Sequence, residues 1–125
     1  MKDTKQYKII YSICQKVRNE LIEKYGEDNL HGKCIEASDK IIKLLSEQNI
    51  QSHYVEGWCV YDDEQYGSDR QYDEHTWVEL EDKTYIDVTA DQFYYGMFRD
   101  IPEIIIGEKP DYMIYDEPKH LNWNL

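Results

Sequence analysis

Residues 74–80, Glu-His-Thr-Trp-Val-Glu-Leu, and 84–88, Thr-Tyr-Ile-Asp-Val, alternate apolar and polar side chains across a three-residue break, Glu81-Asp82-Lys83. Alternation of period two is the pattern of a half-buried strand, and two such runs so close together read as a β-hairpin. Val78 and Leu80 fall on one face of the first strand, and Ile86 and Val88 on one face of the second. Sending all four into one core fixes the parity of the pairing. With Leu80 opposite Thr84, Val78 faces Ile86 and Asp87 faces Trp77, which gathers His75, Trp77, Tyr85 and Asp87 on the other side. Asp87 is then diagonal to His75, roughly 7 Å away along the backbone and within reach of a side-chain hydrogen bond. A slip of two would oppose the pair directly; a slip of one would part them onto opposite faces.

Upstream the period changes. From about 3 to 25, Tyr7, Ile10, Cys14, Val17 and Leu21 recur at spacings of three and four, the stripe of an amphipathic helix. Cys14 on that stripe is expected to be a small buried hydrophobe. Tyr25-Gly26 closes the helix, and a polar connector, 27–29, leads to a second helix beginning near Gly32 or Cys34. There Cys34, Ser38, Ile41 and Leu45 share a face flanked by Ala37, Ile42 and Leu44, so this helix should be largely buried. Asn49 fits its stop, because Asn tolerates the left-handed conformation just past a last turn. Strand-like segments follow at about 52–61, 74–80, 84–88 and 103–106. Helices first and antiparallel strands after them make an α+β domain, here a single one over 1–125. The polar stretch 62–73 reads as a long hairpin loop whose carboxylates lack the ordered spacing of a calcium loop. Beyond Tyr94 the aromatics Tyr94, Tyr95, Phe98, Tyr112, Tyr115 and Trp123 are interrupted by prolines and read chiefly as packing.

Charge narrows the partners. A net charge of −12 repels a phosphate backbone, and no cluster of Lys and Arg interleaved with aromatics offsets it, which argues against nucleic acid. The same field attracts a basic peptide, protein or amine, although an acidic balance also serves solubility. No apolar run approaches the roughly 20 residues that span a bilayer, and the charged start has no uninterrupted apolar signal region, so the chain reads as cytoplasmic. Three widely spaced cysteines, Cys14, Cys34 and Cys59, fit neither a disulfide framework nor paired zinc knuckles. No cofactor or metal is expected.

Cys34 is the cysteine whose position suggests chemistry. A thiol attacks as thiolate, and the positive end of a helix together with an imidazolium favours that form. Cys34 follows Gly32-Lys33 at the start of the second helix, where free backbone N–H groups would also face an oxyanion. By the logic of a triad, Asp87 would orient His75, and His75 would take the proton of Cys34 and later return it to the leaving group. Gln92 is a candidate to orient substrate or donate to the oxyanion, with a loop-capping amide as its simpler role. Trp77 either shields the His75–Asp87 contact, lines the substrate groove, or is an ordinary sheet tryptophan. Asp91 is a weaker orienter because it lies past the strand. His31 offers an alternative base or a metal ligand with Cys34 and His75, though no fourth ligand is evident. His53, His120 and Cys59 read as structural or solvated.

Gly32-Lys33-Cys34 opening a helix, then His75-Thr76-Trp77-Val78-Glu79, then Tyr85-Ile86-Asp87-Val88-Thr89, resembles the transglutaminase-like superfamily, whose members share a papain-like core. The resemblance covers about residues 30–93. It implies acyl transfer through a thioester on Cys34, from a peptide bond or glutamine amide to water or an amine, with Cys34, His75 and Asp87 as the triad. The expected partner is a peptide or protein substrate. The family also holds inactive relatives, so the competing expectation is a papain-like domain that binds a protein through its acidic face.

Overall fold

The computed structural model describes residues 4–63, 69–93 and 101–116. Helix α1 runs Thr4–Tyr25 and α2 runs Cys34–Glu47, joined by a single 3-10 turn at Glu27–Asn29. The stripe expected of α1 buries Ile10, Cys14, Val17 and Leu21, but Tyr7 lies outside the core and stacks on Tyr11, both rings about 40% exposed. In α2, Ala37, Ser38, Ile41 and Leu45 are buried. Asn49 takes the left-handed φ of 60° expected of it, and Ile50 N–H returns to the Leu45 carbonyl while Asn49 N–H reaches Ser46. That pair of bonds satisfies carbonyls the helix end would otherwise leave open. Among the described residues no helix is long and apolar enough to cross a membrane.

Among the described residues, five antiparallel strands form one sheet in the order β4-β3-β2-β1-β5: β1 Ser52–Asp63, β2 Asp69–Leu80, β3 Tyr85–Asp87, β4 Ile105–Gly107 and β5 Met113–Ile114. The hairpin register is the one its apolar parity requires, with Val78 opposite Ile86 and Glu79 opposite Tyr85. Leu80 N–H donates to Thr84 O, and the turn is held by Asp82, whose carboxylate accepts from both the backbone N–H and the hydroxyl of Thr84. One expectation is corrected. The polar stretch 62–73 is not a long loop: β1 and β2 stay paired to Asp63 and Asp69, leaving 64–68 between them, outside the described residues. Cross-strand pairing can carry polar residues beyond the core, and hydrophobic alternation alone does not reveal it. The strand expected at 103–106 falls at Ile105–Gly107, half-buried at one end of the sheet order. His120, Trp123, Tyr94, Tyr95 and Phe98 lie outside the described residues.

Both faces of the sheet are covered. On one, Val78, Leu80, Ile86 and Val88 pack with Ile10, Cys14, Val17, Leu21, Ala37, Ile41 and Leu45 of the helices. On the other, a second apolar cluster joins Trp77, Tyr85 and Cys59 to Phe93, Ile101 and Met113. Arg18 ties α1 to the segment that follows β3. Although almost fully buried, its guanidinium donates to the Val88 carbonyl at 2.8 Å and grips both carboxylate oxygens of Asp91 at 2.7 and 2.8 Å.

Candidate active site

The face shared by His75, Trp77, Tyr85 and Asp87 places an imidazole and a carboxylate in contact. His75 Nε2 lies 2.6 Å from Asp87 Oδ2, with both residues at least 97% buried. Asp87 is over-determined by its neighbours. Tyr85 donates its hydroxyl to Oδ2 at 2.5 Å, and the Thr89 backbone N–H donates to Oδ1 at 2.9 Å. Burial alone would push this carboxyl up, but the His75 imidazole and these donors outweigh it and hold Asp87 below the ordinary carboxylate range. The ionised carboxylate in turn fixes Nε2 as the protonated nitrogen of His75. Phe93 meets the imidazole edge-on with ring centroids 5.1 Å apart, and Trp77 lies at 6.0 Å, so the ring is wedged as well as hydrogen-bonded.

The second nitrogen of His75, Nδ1, is buried with no hydrogen-bond partner. His75 borders a cleft of about 500 Å³ that is also lined by Gly32, Cys34, Ile35, Glu56, Gly57, Trp58, Glu74 and Thr76. Cys34 opens α2, whose N-cap residue Lys33 makes no side-chain cap bond to the first turn. Burial works against ionisation of the Cys34 thiol, but His75 beside it, followed by Thr76, brings its pKa below the usual 9.0. In His75 burial again opposes the charge, and Asp87 first, then Cys34, raise the imidazole to about 9. The two shifts belong to one coupled pair, in which each group favours the charged form of the other. The other two cysteines go the opposite way. Burial lifts Cys14 to about 12 and Cys59 further still.

Gln92 does not line this cleft. Its amide oxygen accepts from Gly32 N–H at 3.2 Å and its nitrogen donates to the Thr89 carbonyl at 2.8 Å. It thus bridges the turn before Cys34 to the segment that follows Asp87, in the loop-capping role. Gly32 has φ of +79°, a conformation that side chains rarely adopt, which lets the chain turn sharply two residues before the thiol. Trp77 is also absent from the cleft wall, being 99% buried, with its indole N–H on Glu79 at 2.9 Å. It sits behind Gly57, where any β-carbon would overlap the indole and crowd the Ile114 carbonyl. The tryptophan that does face the cleft is Trp58. Asp91 serves Arg18, His31 and His53 are exposed, and no group of three or more potential metal ligands occurs among the described residues.

Sequence reading missed Arg18 and Gly57. Arg18 stands four residues after Cys14 on the buried stripe of α1, and a cation at a core position is a signal for a buried anion. Gly57 sits inside a strand, where glycine marks a close approach of another group. No family model matches the chain, and neither does any curated protein or solved structure.

Proposed function

We propose that the chain is a cysteine-dependent acyl-transfer enzyme of papain-like, transglutaminase-like type, acting on a peptide bond or side-chain amide. The observation that carries this reading is the setting of His75: Nε2 is bound to a buried carboxylate, Nδ1 is buried without a hydrogen-bond partner, and the thiol of Cys34, lowered in pKa, interacts with the same residue. Most buried side-chain polar atoms in folded proteins have a hydrogen-bond partner.

In the proposed reaction the Cys34 proton passes to Nδ1 and the sulfur attacks the acyl carbon, forming the S–C bond. The carbonyl oxygen takes the negative charge and faces the free N–H groups of the first turn of α2. As the tetrahedral adduct collapses, the C–N bond breaks and the leaving amine takes the proton from Nδ1, leaving a thioester. Water or an amine then attacks the same carbon and gives its proton to Nδ1. That proton returns to sulfur as the C–S bond breaks, releasing a carboxylic acid or a new amide.

Alkylation by iodoacetamide at pH 6, followed by peptide mass mapping, tests the reading. Cys34 should be labelled at least about tenfold faster than an unperturbed thiol, which is almost wholly protonated at that pH. His75→Ala should remove the advantage. Fast labelling that survives His75→Ala would reduce Cys34 to an accessible cysteine and end the proposal.

A further inference from the structure

The walls of the Cys34 cleft differ in kind. Trp58 and Ile35, the latter 56% exposed, supply an apolar floor. Glu56 and Glu74, both exposed, stand on the same side of the sheet: Glu56 pairs with Thr76 and Trp58 pairs with Glu74, which makes the two carboxylates diagonal neighbours. Among the described residues no cation is paired with either. Lys33, next to the nucleophile, is turned away, its ammonium over the Tyr25 ring at 4.3 Å. Two carboxylates with no cation paired to them among the described residues therefore border the cleft that Cys34 and His75 also line.

We infer that this cleft selects a polypeptide substrate carrying a Lys or Arg side chain next to the amide that Cys34 attacks. The inference rests on the acyl-transfer reading. Lys and Arg combine an aliphatic stem with a charged head, so the stem lies along Trp58 and Ile35 while the head reaches Glu56 and Glu74. The face of Trp58 adds attraction for the cation. A glutamate side chain in the same place meets two like charges, and a neutral aliphatic one covers the floor but leaves the carboxylates without a partner. Exposed charge pairs are worth a few-fold each, so the pair together sets a preference of roughly tenfold.

Acetyl-glycyl peptides ending in a vinyl sulfone, with lysine, arginine, norleucine or glutamate as the terminal residue, form a thioether with an activated thiolate and read this preference directly. The lysine and arginine probes should modify Cys34 roughly tenfold faster than norleucine and faster still than glutamate, followed by intact mass. In Glu56→Gln/Glu74→Gln the ratio of lysine to norleucine rates should fall toward one. Equal rates for lysine and norleucine in the native protein, or a preference that persists in the double variant, would overturn the assignment. Iodoacetamide separates the two levels: if it singles out Cys34 while the probes show no preference for a cation, only the substrate class fails. If it does not single out Cys34, the acyl-transfer reading fails and the substrate class with it.

Discussion

At the scale of single residues the site depends most on Asp87, which accepts from an imidazole, a phenol and a backbone amide while wholly enclosed. Because its folded pKa is depressed below 3.8, its stabilisation is present above that value and disappears as pH falls through the lower folded one. Asp87→Asn replaces the anion by an amide that cannot accept from all three donors. The variant should lose about 2–3 kcal/mol of stability at neutral pH, measured by urea unfolding. It should also lose the share of the acid limb that Asp87 supplies, and Cys34 should alkylate at pH 6 at least about tenfold more slowly, since the imidazolium is no longer held. The pairing of His75 with Asp87 was legible in the sequence because face and register followed from four apolar residues. The bare backbone at Gly57 was not, because a space left for the Trp77 indole is a property of the packed sheet and has no period.

At the scale of elements, the helices and the hairpin announced themselves by period, and even the stop at Asn49 followed from local conformational preference. What no period encodes is how α1 is fastened to the segment after β3. That fastening is Arg18, and it fixes the stretch from Val88 to Gln92, whose last side chain holds Gly32 in front of Cys34. Arg18→Met keeps most of the stem's volume but leaves the Val88 carbonyl and Asp91 without their donor. Asp91 is 23% exposed and can recover some hydration, so a cost of about 2–3 kcal/mol is expected rather than the full penalty of a stranded buried charge. Thermal unfolding should register the loss, and labelling of Cys34 should slow as the Gly32 turn loosens. The strands β1 and β2 run further than alternation suggested because their outer pairs carry polar residues, and polarity alone does not distinguish a paired strand from a loop.

For the molecule as a whole, −12 of net charge on 125 residues means self-repulsion that salt relieves. Raising NaCl from 10 to 150 mM, which shortens the screening length from about 30 to 8 Å, should raise the melting temperature by a few degrees, as calorimetry would show. The same change should weaken the preference for cationic probes, so stability and selectivity are expected to move in opposite directions with salt. β2, which carries His75, lies in the middle of the sheet with β3 on one side and β1 on the other, and each face of that sheet is packed. Exposing the imidazole by local fraying would mean unzipping a neighbour and opening a core at once. The imidazole and its carboxylate therefore stay enclosed for as long as this sheet stays paired.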